Sequence, residues 1–276
     1  MRHTRLVARA VGIVAILHLS WPAFAQSGAA GGAGEKVAAA SGKAAQANLN
    51  GVWLPASRTR GFPMSEWSPQ DLPFTPKGKE MFDANIPGKG PRQTLPARGN
   101  DPIGTANPPG LYRTLVYPRP WEFIQLPDKV VQIFEWGKHW RTIWTDGRKL
   151  PKEIVSGPFW YGYSVGEWQG DTLVVKTNNL DGRQWIDQWG TPISEYDATV
   201  EERWKRVGND RLELTITITD PEVYAQPWTS AVKVYKLQPK GSENGEPMEQ
   251  IFAPMDEKIF NERVRDPSAE GPNKVH

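Results

Sequence analysis

Apolar and polar residues alternate with a period of two over long stretches of the second half of this chain. Leu212, Leu214, Ile216 and Ile218 interleave with Arg211, Glu213, Thr215, Thr217 and Thr219. Trp140, Thr142 and Trp144 alternate with Arg141 and Ile143. This pattern gives a strand one buried face and one wet face. With the turn residues between the runs, it predicts strands over 51–54, 122–126, 129–136, 139–145, 163–169, 172–177, 199–207, 211–219, 230–237 and 248–253. Asp146-Gly147 and Gly170-Asp171 read as two-residue hairpin turns. No helical pattern of about 12 residues separates these strands, which excludes βαβ units. Consecutive hairpins with a single wet face must hide their edges. The expected fold is therefore all-β, an antiparallel up-and-down barrel of the lipocalin-like kind, with a β-sandwich as the alternative.

The texture before residue 121 is different. Residues 55–120 carry 13 prolines, each denying the backbone donor that a central strand requires. This segment is expected to wrap irregularly over the barrel as an arm, within a single β-domain spanning 49–260 whose strand meander covers 121–255. One short helix is legible: Thr75 as N-cap, Pro76 at the first position, then 77–84. Residues 26–48, mostly Ala, Gly, Ser and Lys, bury too little to offset ordering entropy and read as a flexible linker. Residues 261–276, polar with Pro267 and Pro272, read as a disordered tail.

The first 25 residues carry a compartment signal. Arg2, Arg5 and Arg9 precede the short apolar run 10–17, and Ala23-Phe24-Ala25 matches a cleavage site. The run is shorter than the ~20 residues a spanning helix needs. The expected location is periplasmic or secreted, with no membrane insertion after cleavage. Cleavage removes three arginines and no acid, leaving 30 basic against 31 acidic residues. Such a chain lacks the positive field of a nucleic-acid binder and the polybasic patch of a membrane-surface protein. The absence of cysteine excludes disulfides, thiolate metal sites and cysteine nucleophiles. His139 is the one interior histidine, so no His-cluster metal site is expected. No P-loop, H-E-x-x-H or G-x-G-x-x-G pattern occurs, so no cofactor is expected.

Tryptophan is what stands out: 12 remain after residue 25. Each ring buries a large area, and rings lining a barrel suit a small hydrophobic or aromatic ligand. The candidate ligand contacts are Trp144, Trp185, Trp189 and Trp228. Glu202 and Arg203 point to opposite faces of one strand, so one of them faces inward and needs a partner. Arg203 is the candidate anchor for an anionic ligand. Candidate catalytic groups are Asp187, Glu202, Tyr196, Tyr224 and His139, with a carboxylate pair suited to acid–base work. Gly162-Tyr163-Ser164-Val165-Gly166 fits G-x-S-x-G, but a Gly-Asp hairpin follows instead of the strand–turn–helix elbow that a serine nucleophile requires. Three functions follow from these features. The favoured one is an exported binding protein for a small hydrophobic or aromatic molecule in a Trp-lined barrel. The alternatives are a carboxylate-dependent lyase, isomerase or hydrolase on the same barrel, and a structural envelope protein contacting partners through 55–120. Oligomeric state is left open.

Two resemblances add to this. Gly51-Val52-Trp53 resembles the G-x-W of lipocalins, where Trp closes one end of the barrel. The run 162–175, Gly-Tyr-Ser-Val-Gly-Glu-Trp-Gln-Gly-Asp-Thr-Leu-Val-Val, resembles the signature of a large family of exported bacterial proteins of unknown function. So do Thr145-Asp146-Gly147-Arg148, Trp185-Ile186-Asp187, Glu202-Arg203 and the run 220–228. The likeness covers roughly 49–255 and implies a common fold and an exported location, with no activity attached. The chain departs from that family at Asn107 and Ala253, where members often carry cysteines, and at Ile193, where members often carry histidine in Pro-His-Ser. Any activity that needs that histidine is in doubt here.

Overall fold

The computed structural model describes residues 46–56, 71–95, 98–152 and 157–250. The chain divides into two units, 1–41 and 42–276, and every described residue lies in the second. The expected signal segment 1–25, most of the linker, and the tail lie outside the described residues.

The described chain is mostly sheet. Its strands are β1 (Gly51–Pro55), β2 (Trp121–Gln125), β3 (Lys129–Phe134), β4 (His139–Trp144), β5 (Tyr163–Gln169), β6 (Thr172–Asn178), β7 (Thr199–Val207), β8 (Arg211–Thr219), β9 (Trp228–Thr229) and β10 (Lys233–Leu237). Neighbours pair in chain order from β1 to β8, and β10 then pairs with both β8 and β1. Nine strands thus close a barrel, with β9 attached to β8 as an extra strand. Closure leaves the ring without a free edge.

The barrel is mixed and not purely antiparallel. β4 and β5 run parallel, through the pairs Ile143↔Ser164 and Trp144↔Val165. The expected hairpin at Asp146-Gly147 does not form. Gly147 adopts a positive φ of 85°, and the Arg148 guanidinium folds back onto the Asp146 carboxylate at 2.6 Å. The chain then takes the long path to Tyr163 that a parallel neighbour demands. Of the expected strand 248–253, Gln250 makes a single bridge to Trp136, and 251–253 lie outside the described residues.

Directly paired residues share a face, so the register names the inner wall. Trp53, Trp121, Phe134, Gln132, Arg141, Ile143, Val175, Glu202, Trp204, Leu214 and Tyr235 all lie on inward positions and are buried. Trp121, Phe123, Trp204 and Tyr235 pack with ring centroids 5.0–5.8 Å apart, mostly edge-on. That is the separation and tilt that aromatic quadrupoles favour. These inward rings therefore pack on one another inside the barrel. At Trp53 the preceding chain seals the wall: the indole N–H donates to the Leu49 carbonyl, and the Arg206 guanidinium lies 5.5 Å from the ring.

Two α-helices and a 3-10 helix (Pro102–Thr105) complete the described residues. The helix α1 (Pro76–Ala84) forms as its capping signals predict, with the Thr75 hydroxyl accepting from the Gly78 N–H at 2.9 Å. Gly78 lets the helix lie directly on the 220–224 turn: a Cβ there would fall 2.0 Å from the Val223 carbonyl oxygen. Gly→Ala ordinarily stabilises a helix interior by about 1 kcal/mol. Here Gly78→Ala is expected to destabilise by about 1–3 kcal/mol, because a rigid carbonyl must move. Urea unfolding of the two proteins checks the sign. The second helix, α2 (Leu111–Val116), arises within the Pro-rich segment and is buried on every side. Leu111, Tyr112, Leu115 and Val116 all belong to the barrel core.

Among the described residues, no helix is long and apolar enough to cross a membrane.

Candidate functional site

Two features have the chemistry of a site: a polar centre inside the barrel and a groove on its outer wall.

The polar centre starts from strand register. Gln132 on β3 and Arg141 on β4 are directly paired inward positions. Arg141 spans the lumen to Glu202 on β7, three strands further round the wall. Its two terminal nitrogens donate to the two Glu202 oxygens at 2.8 and 2.6 Å, and its Nε donates to Gln132 Oε1 at 2.8 Å. The Trp204 indole adds a third donor to Glu202 at 2.8 Å. Both charged side chains are buried, at 2% and 0% exposure. The fork geometry is bidentate, which is the strongest arrangement available to a guanidinium and a carboxylate. Tyr112 from α2 and Tyr235 from β10 lie close enough to feel both charges, and burial pushes both phenols well above their ordinary range. They remain protonated donors at any physiological pH.

The groove lies against β5 and β6 on the outer face and encloses about 740 Å³. Its floor comes from the outward positions Val165, Val174 and Lys176, while Trp168, an inward position beside Leu173, packs on the core and only borders the groove. The 145–150 segment forms one wall, and Glu201 and Glu167 contribute carboxylates. The same turn that prevented a hairpin shapes this wall. Arg148 donates to Asp146, reaches the Tyr163 hydroxyl at 3.1 Å, and covers the Trp144 ring at 3.7 Å. The exposed Asp146 carboxyl is held below its usual range by the Arg148 hydrogen bond. The volume suits a drug-sized molecule.

The residues proposed from sequence do not assemble into one place. Of the adjacent pair, Glu202 faces the lumen and Arg203 faces solvent, bonded to Glu201 and Gln169. Arg203 therefore cannot anchor a ligand within the barrel. Trp144 stands on the outer wall between Lys129 and Arg148. Trp185 is buried in the 178–198 loop, 5.8 Å from the Arg113 guanidinium, and Trp228 packs edge-on against Tyr224. Trp189 is half-buried against Gly90.

Among the catalytic candidates, Asp187 is buried and accepts from Trp189 N, Thr191 N and Thr191 Oγ1 at 2.7–3.2 Å. It organises the loop. The Tyr224 hydroxyl donates to the Pro192 carbonyl at 2.7 Å, and burial raises its pKa well above 10. Tyr196 is exposed. His139 packs beside Tyr161 with centroids 5.3 Å apart, and burial lowers its pKa below 6.5.

Sequence reasoning passed over Arg141, Gln132, Tyr112 and Tyr235, and it took Trp168 only as a signature residue. One signal was present. Arg141 shares its alternation class with Ile143, so burying that face requires a carboxylate elsewhere on the inner wall.

What fold and site together define is a closed, mixed β-barrel with an ion pair bridging its lumen and a solvent-open groove on its wall. No protein-family model matches the chain, and no curated protein or solved structure was found to be similar to it.

Proposed function

We propose that this is an exported binding protein for a small hydrophobic or aromatic molecule, held in the outer groove and not in the lumen. The observation that carries the reading is the groove itself, a concavity of about 740 Å³ with two valines in its floor and charged groups around them. Inward aromatic rings packed against one another take up space that an organic ligand would need in the lumen. The groove instead offers two outward valines, with Lys149 and Lys176 placed to orient an oxygen-bearing ligand. Export rests on the N-terminal signal pattern.

Titration with sterols, phenolics and simple sugars, followed by intrinsic Trp fluorescence, tests the reading. At least one class is expected to saturate the signal. Val165→Phe adds a ring to the groove floor at a strand position that tolerates aromatics. The substitution is expected to weaken binding at least ~10-fold while stability stays within about 0.5 kcal/mol. A flat response across all three classes, or a Val165→Phe protein that binds as the parent does, removes the groove from consideration.

A further inference from the structure

Four polar side-chain atoms around the lumen ion pair have no protein partner: Tyr112 Oη, Tyr235 Oη, Trp121 Nε1 and Gln132 Nε2. All four residues are at 0–1% exposure. They belong to one neighbourhood. Gln132 bonds to Arg141 through its oxygen, Tyr112 and Tyr235 both feel Glu202 and Arg141, and the Trp121 ring sits 5.1 Å from that of Tyr235. An unmade bond to a buried donor is destabilising, so four in one neighbourhood call for an acceptor.

The set carries more hydrogens than acceptors. A hydroxyl gives one hydrogen and can also accept, an indole gives one and an amide nitrogen two. The nearby carboxylate does not answer them: its hydrogen bonds come from Arg141 and Trp204. A water molecule can accept two of these hydrogens but brings two more of its own. A compact anion only accepts. The bidentate Arg141–Glu202 pair is internally neutral, so it does not repel one. Lys233, also inward on β10, has interactions of its own and is not needed for the count.

We propose that the lumen binds one small inorganic anion of halide size, held by Tyr112, Tyr235, Trp121 and Gln132 beside the Arg141–Glu202 pair. The site is separate from the outer groove and does not depend on it.

The test is thermal unfolding of the full chain in sodium chloride and in sodium gluconate at equal ionic strength, so that screening is constant. Chloride is expected to raise the midpoint saturably, by about 2–4 °C at concentrations far above its Kd. Tyr112→Phe/Tyr235→Phe is expected to lose that increment while being no less stable in gluconate, since two unanswered hydroxyls have gone. Identical midpoints in the two salts overturn the proposal, as does a double variant that keeps the chloride increment. If the double variant does not fold, bromide soaked into crystals of the unaltered protein decides the matter. An anomalous peak within hydrogen-bond distance of both tyrosine hydroxyls supports the site, and water alone at that position overturns it.

Discussion

Glu202→Leu is expected to lower the unfolding free energy by about 3–5 kcal/mol, because it strands a buried guanidinium without its countercharge. Arg141 is almost fully enclosed and sends two of its nitrogens to this one carboxylate. Gln132 alone cannot compensate, since its oxygen already accepts from Nε. The matching variant separates charge from shape. Arg141→Met/Glu202→Leu removes both partners and replaces them with apolar groups of similar reach. Replacing a whole buried pair is often neutral or stabilising. Guanidinium chloride unfolding of the single and double variants checks both statements. A single variant as stable as the parent would mean that the guanidinium finds water, and that the lumen is far wetter than its burial indicates.

The second large effect is expected at Leu115. This side chain lies on α2, is wholly buried and belongs to the barrel core. Leu115→Ala removes three heavy atoms from a site enclosed on every side, at a cost of about 2–5 kcal/mol. The position within that range reports how well the helix can settle into the space left behind. Because Tyr112 sits one turn earlier on the same helix and near the ion pair, any settling also moves its hydroxyl. Near-ultraviolet circular dichroism alongside urea unfolding reads both consequences. A loss below about 1 kcal/mol would mean that α2 is loosely held.

Much of the architecture could be read from local chemistry. The alternation at 211–219 and the expected strand 199–207 have limits that the structure reproduces in β8 and β7. Thr75 and Pro76 marked the start of α1, and the hydroxyl caps the helix as expected. Other features were hidden for physical reasons. Helix α2 is buried all round, so its six residues carry no polar–apolar period to betray it. Asp146-Gly147 is a good hairpin dipeptide, but Arg148 captures the carboxylate and the chain turns elsewhere, a contest decided by a side chain two residues away. On β4, hydrophobicity alone favours turning Trp140 and Trp144 inward. The structure buries Arg141 and leaves Trp140 at 68% exposure, because Glu202 answers the charge from across the lumen. No local pattern reports a partner 61 residues distant.

The parallel junction carries a mechanical consequence. β4 and β5 share two paired positions, whereas β5 and β6 share seven and β7 and β8 share nine. The wall is thus held by the fewest pairs along this line, and thermal fluctuations should part it readily there. The groove lies beside that line, with Thr145 and Leu150, just past the end of β4, on one bank and Val165 on the other. A molecule lodged between them would act as a rivet, so that occupancy outside the barrel stiffens the whole cylinder.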